Sequence, residues 1–160
     1  MSKASEETTK GLTADVLKDI IDYPSNQNIK VDGITWFKED SYKGTDYDWL
    51  SAIFEKASKK QNMENKGTPD FIVTKDNSNI IVVIECKAKT SDHSKYSDLD
   101  DYKVNGFGTS DDTAKYAIDG ALWYASFLSD KYDVIAIAVS GQTLMENRIT
   151  SFVGQKMVMF

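Results

Sequence analysis

Two acids and a lysine lie where the chain is otherwise most apolar. Asp70 follows Pro69, and Glu85 and Lys87 come at the end of the apolar run that begins at Ile80. Charged groups in such a segment are costly unless they are paired or bind a ligand. The pattern therefore indicates a functional site, although an isolated Glu-x-Lys on a strand is usually a solvated pair.

The predicted strands would bring these three residues together. Residues 71–74 and 80–88 form a predicted hairpin across a five-residue turn. Facing residues then have numbers that sum to about 154 or 155, which places Asp70 opposite Glu85 or the residue before it. Glu85 and Lys87 are two residues apart and point to the same side of the strand. The hairpin would thus deliver two carboxylates and an ammonium group to one place.

The chemistry predicted from this set is metal-assisted hydrolysis of a phosphodiester. Two nearby carboxylates repel each other unless a hard cation lies between them. Mg²⁺ suits the pattern because it accepts one or two carboxylates, keeps several waters and binds substrate phosphate. The backbone carbonyl of Cys86, between the two side chains, is the expected third protein ligand. Lys87 would orient or deprotonate a water, or stabilise the charge of the transition state.

Composition restricts the kinds of site and of partner that the chain could have. The 160 residues include one cysteine and one histidine, which excludes an internal disulfide, a multi-cysteine zinc site and any site with two imidazoles. Because no membrane-length apolar run and no secretory signal are visible, we expect a cytoplasmic protein with no membrane partner. The net charge is −6, and Arg148 is the only arginine among 19 bases. Base reading through arginine is therefore disfavoured, and DNA would be contacted through its phosphates.

The surrounding elements predict a single α/β domain over residues 12–160, preceded by a flexible polar tail over residues 1–11. We expect a mixed central sheet with helices on both faces. The strand over 80–88 should be central because it begins apolar on both faces. The polar, acidic segment 89–110 is expected to be a long mobile loop. The other predicted elements are helices over 13–22, 45–60 and 110–129 and strands over 29–37, 134–139 and 148–153.

The order of the motifs resembles that of the PD-(D/E)xK nuclease superfamily. Its signature is similar to Gly67-Thr68-Pro69-Asp70-Phe71 followed by Ile84-Glu85-Cys86-Lys87-Ala88. Residues 57–60, 116–125 and 134–141 resemble the N-terminal nuclease domain of restriction-modification polypeptides, of type I or type IIG, that also carry an N6-adenine DNA methyltransferase. The likeness spans about residues 46–160.

The resemblance implies a restriction-endonuclease-like three-layer sandwich that hydrolyses DNA phosphodiester bonds with Mg²⁺, or with Mn²⁺ as a substitute. It implies that Asp70 and Glu85 are metal ligands and that Lys87 is the catalytic lysine. The implied partner is double-stranded DNA, bound non-specifically through the backbone, with a transient dimer as a further expectation. The chain contains neither a GxxxxGK loop nor an Asn-Pro-Pro-aromatic motif. Methyltransferase, motor or target-recognition domains would then lie in covalently linked sequence outside it.

Four other residues could lie in or near the site. Many members of the family carry a further acid on the preceding helix, and Glu55 is the candidate, although its place opposite the apolar stripe favours a surface charge. Lys89 shares the strand face of the catalytic lysine and would either contact a phosphate or remain solvated. His93 is expected on the surface, and Tyr124 is expected in the core.

Two other functions also fit the sequence. A catalytically silent, nuclease-like module would serve interaction or the protection of bound ends, but the intact Asp70, Glu85 and Lys87 speak against it. A repair or junction nuclease of the same fold is the other alternative. Acting alone, such an enzyme would be expected to be more basic than a net charge of −6.

Overall fold

A mixed five-stranded sheet forms the centre of the computed structural model, which describes residues 4–22, 33–59 and 67–154. The strands follow one another across the sheet in chain order. The third and fourth strands pair in parallel, and the other neighbours pair antiparallel. The strands are β1 (Ile34–Lys38), β2 (Phe71–Lys75), β3 (Ile80–Lys87), β4 (Asp133–Ser140) and β5 (Arg148–Gly154).

Helices connect and cover these strands. No helix in the described ranges is long and apolar enough to cross a membrane. Short π-helical and 3-10 segments occur at Lys18–Asp22, Phe54–Lys56 and Thr90–Asp92. The α-helices are α1 (Glu6–Leu17), α2 (Leu50–Ile53), α3 (Asp100–Asn105), α4 (Ser110–Lys115) and α5 (Ala117–Leu128).

Side chains of β3 alternate between two apolar clusters, as the period of an extended strand requires. Ile81 and Val83 join a cluster with Ile118 of α5, whereas Ile84 joins a second cluster with Leu17 of α1. Helices α5 and α1 both pack against β3 and β4. The chain is therefore an α/β protein with an open mixed sheet and helices packed against it, and this part of the predicted fold class is confirmed.

The predicted hairpin and its register are also confirmed. Facing residues of β2 and β3 have numbers that sum to 155, with Phe71 opposite Ile84 and Thr74 opposite Ile81. Asn77 in the turn has a φ of 54°, a left-handed conformation that asparagine adopts more readily than most residues. β3 lies between β2 and β4 at the centre of the sheet, as predicted.

The last two predicted strands correspond to β4 and β5, each with its bounds shifted by at most one residue. The predicted strand over 29–37 corresponds to β1, which begins at Ile34. The predicted positions 29–32 lie outside the described residues.

The prediction of a flexible polar tail is wrong for residues 6–11. Residues 6–11 form the first part of α1, and Thr9 and Lys10 are buried there. The hydroxyl of Thr9 donates to the carbonyl oxygens of Gly141, at 2.8 Å, and Lys87, at 3.2 Å. Polar side chains thus hold the first part of this helix against the sheet. Because these buried residues are polar, the hydrophobic pattern of the sequence did not indicate where the helix begins.

Two predicted helices are shorter than expected. The helix over 45–60 is reduced to α2 and a 3-10 turn, because the carbonyl of Phe54 accepts from the amides of Ala57 and Gly67 and the helical pattern ends there. The helix over 110–129 is divided at Tyr116, whose extended backbone (φ −102°, ψ 138°) separates α4 from α5. Thr109 and Asp112 form a capping box at the start of α4.

The segment 89–110, predicted as a long mobile loop, contains a 3-10 turn and α3. His93, expected on the surface, is only 5% exposed. Its two ring nitrogens lie 2.8 Å from the hydroxyls of Ser140 and Thr150. Burial and the charge of Arg148 lower the pKa of His93 to about 4, so the ring is neutral at pH 7. Hydroxyl groups from β4 and β5, distant in sequence, explain why this burial was not predicted.

Candidate functional site

Asp70, Glu85 and Lys87 come together at one edge of the sheet, where β2 begins and β3 ends. The two acids are 7% and 2% exposed. The Nζ of Lys87 lies 3.6 Å from Oε1 of Glu85, and the Lys87 side chain is 13% exposed. The Oδ2 of Asp70 accepts a 2.7 Å hydrogen bond from the amide of Cys86. The structure thus brings together the three residues on which the sequence prediction rests.

Two further lysines, which the sequence did not reveal as site residues, pair with the carboxylates. The Nζ of Lys10, from α1, lies 2.9 Å from Oδ1 of Asp70. Lys59 donates to Oε1 of Glu85. Their side chains are only 9% and 14% exposed. Each buried carboxylate therefore has an ammonium partner, as buried charges require.

Glu6 is a third acid at this edge of the sheet, and it lies beside Lys87 and Lys10. Its Oε2 lies 3.4 Å from Nζ of Lys87, and its Oε1 lies 3.3 Å from Nζ of Lys10. The side chain is 40% exposed, so it is the most accessible acid of the three. The Glu6–Lys10 spacing is that of a helical i,i+4 ion pair, which is a signal in the sequence that the helix begins before residue 12.

The surroundings of Asp70 oppose its ionisation. Burial, together with the charge of Glu85, raises the pKa of Asp70 to about 7, against the lowering effect of Lys10. Burial alone would lower the pKa of Lys87, but the carboxylates of Glu85 and Glu6 raise it above its usual value. The site at neutral pH therefore combines a protonated Lys87 with a carboxyl group that titrates near neutrality.

The carboxylate of Glu85 packs tightly against α5. Its Oε2 is buried and has no hydrogen-bond partner within the described part of the chain. A Cβ added at Gly120 would lie 2.9 Å from Cγ and 3.1 Å from Oε1 of Glu85. The absence of a side chain at position 120 thus makes room for Glu85. Buried polar atoms without a partner are rare, and a bound cation is one way to satisfy a carboxylate oxygen.

Gly120→Ala is expected to lower the free energy of unfolding by about 1 kcal/mol, because overpacking at this contact outweighs the gain in helix propensity. Gly11→Ala is the matched control, since Gly11 is exposed in α1 and a Cβ there would meet nothing within 4 Å. That substitution should raise the free energy of unfolding by about 0.5–1 kcal/mol. Urea denaturation measures both variants. An equal rise in the free energy of unfolding of both variants would contradict the packing of Glu85 against Gly120.

The other candidate residues are either exposed or buried in the core. Glu55 is exposed on a 3-10 turn, and Lys89 is also exposed. Tyr124 is buried, as predicted, with its ring against Phe54 and below the ammonium of Lys59. Cys86 is fully buried in β3 opposite a residue of β4. Among the described residues, the ion pairs and hydrogen bonds of Asp70, Glu85 and Lys87 involve neither Glu55 nor Lys89.

The described ranges contain no group of three or more histidine, cysteine, aspartate or glutamate residues that could hold a metal ion. The two buried acids at this edge of the sheet, Asp70 and Glu85, are one fewer than such a group requires. Two carboxylates are within the number that Mg²⁺ takes from proteins, because waters and substrate phosphate supply its remaining ligands.

Comparison with known proteins returned no relative. The chain matches no protein-family model, no curated protein and no solved structure. Its function is therefore inferred from the chemistry of its own residues and from the motif resemblance.

Proposed function

We propose that this chain is a Mg²⁺-dependent DNA endonuclease of the PD-(D/E)xK type and the cleavage domain of a restriction-modification enzyme. The fold would be the restriction-endonuclease-like sandwich. The observation that supports the proposal most directly is the contact of Lys87 with Glu85 beside Asp70, at the edge where β2 begins and β3 ends. These residue types, in this order on a hairpin, are those that the motif resemblance implies.

The residues present fit a hard divalent cation. Oε2 of Glu85 is buried with no partner in the described ranges, and burial together with the charge of Glu85 raises the pKa of Asp70. A divalent cation held by the two carboxylates would give Oε2 of Glu85 a partner and would favour the ionised form of Asp70. The carbonyl of Cys86 is the proposed third protein ligand, and Mn²⁺ is expected to substitute for Mg²⁺. When bound, the ion would polarise a phosphoryl oxygen and lower the pKa of a bound water.

Lys87 is proposed to stabilise charge. Glu85 and Glu6 hold its pKa above the ordinary value, so it is an ammonium ion at neutral pH. An ammonium group donates hydrogen bonds to the negative charge that develops on the phosphoryl group, whereas a general base must first lose its proton. Of the roles that the sequence left open, charge stabilisation is therefore favoured over deprotonation of a water.

The proposed substrate is double-stranded DNA, contacted through its phosphates. The chain has a net charge of −6 and a single arginine, so tight or sequence-selective binding is not expected of it alone. Target recognition would belong to covalently linked domains outside this chain. A transient dimer on DNA would allow both strands to be cut.

The experiment that tests this proposal is nicking of a supercoiled plasmid by the wild-type chain. Nicking is expected with Mg²⁺ and not with EDTA, without sequence preference, and with a rate that falls steeply between about 50 and 200 mM salt. Cleavage that persists in EDTA would overturn the metal-dependent mechanism. No cleavage in Mg²⁺ or Mn²⁺ would favour the silent module instead, because Lys10 and Lys59 already neutralise the two carboxylates.

A further inference from the structure

A cavity lined by hydroxyl groups and basic side chains lies between residues 90–99 and the start of β5. Its volume is about 790 Å³, and the polar side chains at its wall include His93, Lys95, Arg148 and Thr150. None of the described residues that line it is acidic, although the chain has 25 acids against 19 bases. In a chain of this charge, a cavity that carries bases and excludes acids suits an anion.

Arg148 is the cation of this cavity that no described acid neutralises. Lys95 pairs with Asp112 at 2.7 Å, whereas the described ranges contain no ion pair of Arg148. The Arg148 side chain is exposed. A guanidinium group carries five N–H donors in a fork that matches two oxygens of a phosphate. Arg148 therefore offers the cavity a charge and a donor set for a phosphate group.

The buried His93 holds a hydroxyl group in place beside this arginine. Its Nε2 lies 2.8 Å from the hydroxyl of Thr150, and its carbonyl accepts a 3.0 Å hydrogen bond from the amide of Ile118 in α5. Thr150 is two residues from Arg148 and therefore points to the same face of β5. A hydroxyl that accepts from a ring N–H can donate its own proton to another group. A guanidinium and a hydroxyl thus line one wall that the fold has already built.

The cavity lies at the same edge of the sheet as Lys87. Lys87 of β3 is aligned with Ser140 of β4, and Ser140 is aligned with Arg148 of β5. Aligned residues share a face of the sheet, and neighbouring strands are about 4.8 Å apart, so the backbones of Lys87 and Arg148 are separated by about 10 Å. One strand of DNA presents a phosphate about every 3.4 Å along the helix axis. A DNA strand that passes Lys87 would therefore bring another of its phosphates near Arg148.

We propose that this cavity is a subsite for the DNA backbone, in which Arg148 and Thr150 bind a phosphate within about three positions of the one that is cut. This inference rests on the proposed function for the identity of the ligand. Arg148 is a binding residue in this scheme, because it contacts a phosphate at which no bond is broken.

The salt dependence of DNA binding in EDTA tests the inference, with fluorescence anisotropy of a short labelled duplex of random sequence as the readout. Each phosphate contact contributes about 0.9 to the slope of log K against log salt concentration. Arg148→Ala is expected to bind about tenfold more weakly at low salt and to lower that slope by about 1. Arg148→Lys should keep the wild-type slope, because it keeps the charge.

Lys43→Ala is the matched control, since Lys43 is an exposed lysine paired with Asp40 at 2.6 Å. Its affinity and slope should equal those of the wild type. An unchanged slope in Arg148→Ala, the same loss in Lys43→Ala, or no DNA binding by the wild type would overturn the inference.

Nuclear magnetic resonance of the His93 ring locates the bound phosphate. His93 is the only histidine of the chain, so its ring signals are identified directly. DNA at saturation should shift these signals in the wild type and leave them unchanged in Arg148→Ala. Inorganic phosphate at millimolar concentration is the second probe. A shift with inorganic phosphate and none with DNA would show a site for free anions and would overturn the DNA subsite.

These measurements separate the subsite from the proposed function, because binding in EDTA does not depend on cleavage. If the wild type nicks plasmid with Mg²⁺ and Arg148→Ala keeps the wild-type slope, the nuclease proposal stands and the subsite fails. If Arg148→Ala lowers the slope and the wild type nicks no plasmid, the subsite stands and the nuclease proposal fails.

Discussion

Lys87→Ala is expected to lower the rate of Mg²⁺-dependent DNA cleavage by about 100- to 1000-fold, the usual cost of removing one donor that stabilises transition-state charge. The Lys87 side chain lies 3.6 Å from Glu85 and remains 13% exposed, so it borders the site without filling the core. The variant should therefore remain folded. Single-turnover nicking of a plasmid gives the rate, and circular dichroism checks the fold.

Lys103→Ala is the control for this substitution. Lys103 is an exposed lysine of α3, paired with Asp100 at 2.7 Å, and its loss removes the same charge from the chain. Its cleavage rate should equal that of the wild type. A Lys87→Ala rate within about tenfold of the wild type would exclude Lys87 as the catalytic lysine.

Asp70→Asn is expected to raise the free energy of unfolding of the metal-free protein by about 1 kcal/mol at pH 8. The pKa of Asp70 is about 7 in the folded state, against an ordinary value of 3.8. The folded state therefore binds more protons between these values, and the contribution of Asp70 to stability falls as the pH rises from about 4 to about 7. Asparagine does not titrate, so the advantage of the variant should grow across that window. Thermal and urea unfolding in EDTA at several pH values measure it.

Divalent metal should raise the stability of the wild type relative to that of Asp70→Asn. Mg²⁺ or Ca²⁺ would stabilise the wild type by binding its folded state, and would stabilise Asp70→Asn much less. If Asp70→Asn is destabilised in EDTA and the metal-induced shift is unchanged, Asp70 is a structural acid whose partner is Lys10. The metal site would then have to be built from other residues.

The sequence predicted the hairpin and the grouping of Asp70, Glu85 and Lys87 because both depend on local pattern. A turn around Asn77 joins two strands, and the alternation along β3 determines which side chains share a face. The position of Asp70 beside Glu85 follows from that register. The central place of β3 follows from its apolar character.

The lysines paired with the carboxylates could not be predicted in the same way. Lys10 pairs with Asp70 across 60 positions of sequence, in a helix whose buried residues are polar except for Leu17. Lys59 lies in a segment that the motif resemblance covers, but no spacing rule relates it to Glu85. The burial of His93 also depends on hydroxyl groups from two distant strands. Each of these contacts arises from tertiary packing of polar groups, which leaves no hydrophobic period in the sequence.

Calorimetric titration of Mg²⁺ into the wild type and into Glu85→Gln tests most directly whether Asp70 and Glu85 together form a cation site. Glutamine keeps the shape of the side chain and removes its charge, so packing against Gly120 should be unchanged. We expect the wild type to bind Mg²⁺ and Glu85→Gln to lose that binding, while both proteins remain folded. Equal Mg²⁺ affinity in the two proteins, or no binding by the wild type, would contradict the proposed site.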